Sequence, residues 1–238
     1  MDISLIIPVY NEEGNLRLLY QELKPPMDSL GKEYEIIFVD DGSNDNSPII
    51  LDDLAKKDKR VKVIHFDRNY GKTSALSLGF SYAKGDFILT MDADLQYDCR
   101  ELVRIIQELK DNDVVICSRI NRVKADGFIK VLSSKIANYV RNKVLGENFK
   151  DVGCPLKGFR KDCVKDLVLY RGFQVFIPSL MNMRGFKIKE IEVETYSRRW
   201  GKSKFNIRNR LWKTLIALLV IKWIQKNRLN YKIKNESL

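Results

Sequence analysis

The chain has 238 residues, 45% of them apolar and 31% charged, with a formal net charge of +11. It is long enough to bury a sizeable core, and this composition excludes disordered, collagen-like and fibrous chains. There is no run of about 18 uncharged apolar residues and no basic leader around Met1, so the sequence predicts neither a membrane-spanning helix nor a signal peptide, and a cytoplasmic chain is expected.

In chain order, Ile3 to Ile7 is a short apolar run of the kind seen in strands buried on both faces, closed by Pro8. A helix is predicted from Gly14 through Leu16, Leu19, Tyr20 and Leu23, with Pro25-Pro26 expected to stop it. Tyr34 to Val39 reads as a second strand, ending at Asp40-Asp41-Gly42-Ser43. A helix carrying Ile49, Leu51 and Leu54 leads to a third strand, Val61 to Phe66. Gly71 opens a helix with Ala75, Leu76, Leu78, Phe80 and Ala83. Phe87 to Met91 is a fourth strand, followed by Asp92-Ala93-Asp94, and Leu102 to Leu109 is helical. Val114 to Cys117 is a fifth strand. Strands alternating with helices imply an α/β fold with a mostly parallel sheet flanked by helices.

Beyond residue 120 the alternation weakens. A helix is predicted over 128–145, a loop from Asp151 to Arg160, and helices over 162–169 and 174–184. Lys187 to Val193 alternates as a strand, and a last helix runs from about Ile207 to Gln225.

Cys99, Cys117, Cys154 and Cys163 are scattered, which argues against a disulfide framework or a zinc site. The single histidine, His65, reads as a strand-end residue. Residues 198–238 carry twelve Lys/Arg and one acid, Glu236, so the entire excess charge lies there. A tail this basic points to an anionic partner, either a membrane surface or a nucleic acid, with a solvated basic end as the competing reading.

Parallel sheets bind ligands at the carboxyl ends of their strands. Three polar clusters fall at those ends: Tyr10-Asn11-Glu12, Asp40-Asp41-Gly42-Ser43 and Asp92-Ala93-Asp94. Converging acids need a cation or donors to offset them. Asp92 and Asp94, two apart on a turn, suit Mg2+ or Mn2+, which take oxygen ligands and are completed by substrate phosphates. Such a cation stabilises charge on a diphosphate leaving group. The competing reading makes Asp94 or Asp98 the cap of the next helix. Asp40 can accept a base N–H, as in uracil or guanine, although a plain turn also explains the segment. Lys72, at a helix N-terminus, can reach a phosphate.

Ile7-Pro8-Val9-Tyr10-Asn11-Glu12, Val39-Asp40-Asp41-Gly42-Ser43, Asn69-Tyr70-Gly71-Lys72 and Met91-Asp92-Ala93-Asp94-Leu95-Gln96 together resemble the family 2 glycosyltransferases of the GT-A fold. The resemblance implies that Pro8, Tyr10, Glu12 and Asp40, with Asn11 among them, contact the nucleotide. It also implies that Asp92 and Asp94, flanking Ala93, hold the metal and diphosphate, with Gln96 close to the ion.

Asp151-Val152-Gly153-Cys154-Pro155-Leu156-Lys157-Gly158-Phe159-Arg160, Ser118-Arg119 and Arg198-Arg199-Trp200-Gly201-Lys202-Ser203-Lys204-Phe205 look like the polyprenyl-phosphate group of that family, which includes dolichol-phosphate and undecaprenyl-phosphate sugar transferases. In that group the residues matching Arg119, Arg198 and Lys204 lie near donor or acceptor phosphates, and Lys130 is a weaker match. Asp151 is either catalytic or positioning, or a loop acid that bonds the backbone.

The implied reaction is inverting transfer of a hexosyl group from a UDP- or GDP-sugar to a polyprenyl phosphate. The alternative is a family 2 transferase that extends a polysaccharide or glycoconjugate hydroxyl. A phosphate monoester is already anionic at neutral pH and needs cations for placement, whereas a hydroxyl needs a carboxylate base.

Residues 1–206 are expected to form the transferase domain and 207–238 a basic helix and tail. Leu215 to Ile221 is too short to span a bilayer, but with Trp212, Trp223 and basic flanks it suits an anionic membrane surface. A peripheral protein on the inner face of the membrane is therefore expected, with a helix packed on the domain as the competing reading. No nucleic-acid-binding signature accompanies the basic tail.

Overall fold

The computed structural model describes residues 1–121, 128–198 and 207–228. Seven strands form one sheet: β1 (Ile3–Val9), β2 (Tyr34–Asp40), β3 (Val61–His65), β4 (Phe87–Thr90), β5 (Val114–Ile120), β6 (Lys157–Arg160) and β7 (Ile188–Glu194). Their order is β3-β2-β1-β4-β6-β5-β7. All neighbouring pairs are parallel except those of β6, which runs antiparallel to β4 and β5. The helices are α1 (Leu16–Ser29), α2 (Ser47–Lys57), α3 (Lys72–Tyr82), α4 (Glu101–Glu108), α5 (Phe128–Leu145), α6 (Lys161–Val164), α7 (Ile177–Met183) and α8 (Ile207–Lys226).

The largely apolar runs of β1 and β2, interrupted by Ser4, Glu35 and Asp40, follow from helices on both faces. One core layer joins Leu5, Ile7, Ile36 and Phe38 to Leu16, Leu19 and Leu23 of α1, Leu51 of α2 and Leu102 and Ile105 of α4. The opposite face packs Ile6, Ile88, Ile116 and Phe159 on Leu76 and Phe80 of α3 and Ile177 and Met181 of α7. The edge strand β7 keeps the alternation predicted for it, with Ile191 and Val193 buried and Glu192 and Glu194 exposed. All four cysteines are buried thiols.

Three expectations are corrected. Pro25 and Pro26 do not stop α1, which continues to Ser29. Two backbone donors are missing there, but the last turn is held by fully buried Met27 and by the Tyr34 hydroxyl, which donates to Asp28 Oδ1 at 2.6 Å. The segment expected as a loop from Asp151 to Arg160 ends in β6, which fills the gap between β4 and β5. The helices expected over 162–169 and 174–184 contract to α6 and to α7, the latter preceded by a 3-10 turn at Phe173–Val175.

Helices α5 and α8 pack together at the periphery. Leu145, Phe173 and Phe176 meet Ala217, Leu218 and Ile221 there. The other sides of both helices leave Ile136, Tyr139, Ile216, Leu219 and Trp223 exposed. Among the described residues, no helix is long and apolar enough to cross a membrane.

Candidate active site

The carboxyl ends of β1, β2, β4 and β5 meet on one edge of the sheet. The turn after β1 is laced to the turn after β2. Asn11 N–H donates to Ser43 Oγ at 2.8 Å, Asn44 N–H donates to Asn11 Oδ1 at 2.7 Å, and Glu12 N–H donates to Ser47 Oγ at 2.8 Å. Glu12 also accepts from Asn15 Nδ2 at 2.6 Å. Pro8 lies within β1 opposite Val39.

Asp40 and Asp41 are both buried, with different tasks. Asp41 accepts the backbone N–H groups of Tyr70 and Gly71 at 2.7 and 3.0 Å, which fixes the turn that opens α3. Burial nonetheless pushes its carboxyl pKa up, opposed by those two N–H groups. Asp40 Oδ1 accepts Ser43 N–H at 3.1 Å, and its Oδ2 lies 3.0 Å from His65 Nδ1. Gly42 adopts φ +68°, and a Cβ there would stand 2.3 Å from the Arg68 carbonyl carbon, so only glycine fits. Asp40, Gly42, Ser43, His65, Phe66 and Asn69 line a cavity of about 330 Å3.

Beyond β4, Lys72 Nζ at the start of α3 pairs with Asp92 Oδ1. Asp94 is 4% exposed and pairs through Oδ2 with Arg198 Nη2 at 3.0 Å, while its Oδ1 is buried without a hydrogen-bond partner. Burial, and then the charge of Asp92, push the Asp94 pKa up to about 6, against the pull of Arg198 and Lys72. Gln96 ties this turn to the far segment. Its Nε2 donates to the Tyr196 carbonyl at 3.1 Å, and its Oε1 accepts from Arg198 Nε at 3.3 Å.

At the end of β5, Arg119 grips Asp151 with two parallel bonds, Nε to Oδ2 at 2.6 Å and Nη2 to Oδ1 at 3.0 Å. Asp151 thus secures a nearly buried guanidinium at the rim of the site.

The fold therefore brings together Tyr10, Asn11, Glu12, Asp40, Lys72, Asp92, Ala93, Asp94, Gln96, Arg119, Asp151 and Arg198 along one edge. Lys204 lies outside the described residues, as does the side chain of Lys130. Two titratable residues, Lys157 and His65, have partners that the sequence does not show. Lys157, 4% exposed, donates to the Cys154 carbonyl at the start of β6, and burial pulls its pKa down. It fell in a segment with no strand signal. His65 ends β3 opposite Asp40 in the register, a position that a comparison of strand ends would have flagged.

Among the described residues, no three His, Cys, Asp or Glu groups converge closely enough to hold a metal ion unaided. Asp92 and Asp94, with the unpartnered Asp94 Oδ1, nevertheless fit the kind of Mg2+ or Mn2+ site that uses one or two carboxylates and draws its other ligands from phosphates and water.

A mostly parallel sheet with helices on both faces and an acid-lined carboxyl edge is the architecture of the GT-A class. The glycosyl transferase family 2 model matches residues 4–168, and the chain belongs to that family. It is 35% identical over 206 residues to the undecaprenyl-phosphate 4-deoxy-4-formamido-L-arabinose transferase of Edwardsiella ictaluri, and 37% identical over 206 residues to that of Proteus mirabilis. In both cases the match covers 86% of this chain and 63% of the relative, so the chain spans less than two thirds of their length. In fold it resembles glucosyl-3-phosphoglycerate synthase from Mycobacterium tuberculosis, solved with Mn2+ and UDP-glucose. There the TM-score is 0.69 at 16% identity, over 93% of this chain and 78% of that one.

Proposed function

We propose that the chain moves a glycosyl group, with inversion, from a UDP- or GDP-sugar to a polyprenyl phosphate at the inner face of the membrane; the relatives' arabinose derivative is a pentose, so they do not support the hexosyl group expected from the sequence. One observation carries this reading: an acidic sheet edge faced by three cations, Lys72, Arg119 and Arg198, each held by its own carboxylate. The undecaprenyl-phosphate transferases among its relatives support the lipid phosphate as acceptor.

Asp40 accepts a base N–H in the cavity beside Phe66, and Glu12 and Tyr10 border the nucleoside. Asp92 and Asp94 would hold Mg2+ or Mn2+, which supplies charge neutralisation for the diphosphate. Lys72, at the helix N-terminus, contributes a further positive group for phosphate. An oxygen of the acceptor phosphate attacks the anomeric carbon. The bond from that carbon to the diphosphate breaks, and the nucleoside diphosphate leaves with the electron pair. The phosphate is already ionised, so no proton has to be removed. Arg119 and Arg198 place it. That Asp151 is gripped through both oxygens by Arg119 supports a positioning role over that of a general base, which a hydroxyl acceptor would require.

In this reading residues 1–206 form the transferase and 207–238 contribute to membrane attachment. The exposed apolar sides of α5 and α8 then face the lipid.

The test is incubation with undecaprenyl phosphate, MnCl2 and a panel of radiolabelled UDP- and GDP-sugars, followed by lipid extraction. Label in the lipid phase is expected. Label passing only to a sugar hydroxyl would overturn the acceptor assignment.

A further inference from the structure

His65 is the chain's single histidine, and no step proposed above uses it. It sits at the wall of the cavity that Asp40 lines, with one ring nitrogen on each of two carboxylates. Nδ1 is 3.0 Å from Asp40 Oδ2, and Nε2 is 3.2 Å from Asp52 Oδ1. These acids come from β2 and α2, the two elements packed on β3. Asp67 and Arg68 follow His65 in the loop lining the same cavity.

An ionised carboxylate has no proton to donate. A neutral imidazole has only one N–H, so it can satisfy one of these acids and must turn a lone pair toward the other. Both contacts are favourable together only for the imidazolium. The neighbours agree. Burial lowers the His65 pKa, but the hydrogen bonds to Asp40 and Asp52 outweigh it and the net shift is upward.

The position matters because Asp40 is 2% exposed and its second oxygen already accepts Ser43 N–H. The orientation of that carboxylate is therefore set by two donors, one backbone and one titratable. We propose that His65, as an imidazolium clamped between Asp40 and Asp52, is a positioning residue that orients Asp40 toward a nucleobase N–H and makes nucleotide affinity fall as pH rises. This rests on the nucleotide-sugar reading of the site. When the imidazolium loses its proton, Nδ1–H can stay on buried Asp40 but the Asp52 contact is lost, and the ring is no longer held from both sides.

The experiment uses the full chain with UDP and GDP, each with MnCl2, titrated by calorimetry from about pH 6 to about pH 9. The imidazole is followed in parallel by NMR. With one histidine in the chain, its Cε1–H signal needs no assignment. The wild-type protein should bind one of the two nucleotides about tenfold more weakly above the imidazole titration than below it, the size of one charge-assisted contact. By reciprocity the bound nucleotide should raise the His65 pKa by about one unit. His65→Gln should show the weaker affinity throughout, and its profile subtracts the titration of the nucleotide's own phosphate. Asp52→Asn, on an exposed residue, should lower the His65 pKa and carry the affinity midpoint down with it, which a merely structural histidine would not do.

Equal affinity of wild type and His65→Gln, or a His65 pKa indifferent to nucleotide, overturns the proposal and leaves the nucleotide site standing. Failure of the wild type to bind either nucleotide overturns both. If His65→Gln does not fold, the Asp52→Asn midpoint and the wild-type NMR titration decide.

Discussion

Asp94 shows what a site residue costs the fold. Its pKa stands near 6 in the folded chain against 3.8 unfolded, so between those values the native state holds a proton that the unfolded state has lost. Stability therefore falls as pH rises from about 4 to about 6, and the whole cost is carried above that. Asp94→Asn keeps the shape without the charge. It should stabilise the protein at pH 8 by about 1–3 kcal/mol in thermal or urea unfolding while abolishing sugar transfer. Binding of Mn2+ should weaken as pH falls below about 6, because proton and cation compete for the Asp94 carboxylate. Arg198→Ala removes one of the two cations that oppose this shift, so the pH below which Mn2+ binding weakens should move up in the variant, read by metal titration. The D-x-D spacing and the Asp40 cluster were legible because strand ends in a parallel sheet converge. The partner of each acid was not legible, since Arg198 lies over a hundred residues from Asp94 and meets it where Gln96 ties this turn to Tyr196 and Arg198.

At the scale of elements, β6 is the piece that closes the sheet. Thr90 Oγ1 donates to the Pro155 carbonyl at 2.7 Å, so the turn leading into β6 is fastened to the end of β4, next to Asp92. Gly158 lies where α4 crosses this strand. A Cβ there would sit 2.3 Å from Ile105 Cγ2 and 2.9 Å from Leu109 Cδ1. Gly158→Ala should destabilise by about 1–3 kcal/mol through overpacking, read as a lower Tm with the fold retained. A four-residue strand containing glycine and two basic residues gives no periodic signal, so it was expected as loop. The prolines of α1 misled in the opposite sense. Their local penalty is real, but Met27 and Asp28 find tertiary partners that local sequence does not show.

For the whole molecule, exposed apolar side chains gather on α5 and α8. Helix α8 is seated by Ala217, Leu218 and Ile221, yet its Ile216, Leu219 and Trp223 are exposed, as are Ile136 and Tyr139 of α5. Each Lys or Arg close to an anionic surface contributes about 1 kcal/mol, and the attraction fades within a Debye length. The chain should co-sediment with vesicles containing anionic lipid and be largely released by high salt. Deleting residues 207–238 should reduce binding at least tenfold in the same assay, with folding of the remainder checked by circular dichroism. Vesicle binding unchanged in the folded truncation would show that this face is not the attachment surface.

The alternation of apolar runs determined the α/β class without the structure. Backbone groups buried on both faces of a sheet force continuous hydrophobic strands, and helices covering them force the intervening period. The acids and glycines at strand ends determined where a site would form, because turns there demand residues with few steric limits and spare polar atoms. Tertiary structure alone decided the pairings: Lys72 on Asp92, Arg198 on Asp94, Arg119 on Asp151 and His65 between Asp40 and Asp52. A charge acts through distance and dielectric, and both are set by parts of the chain that meet only when it folds.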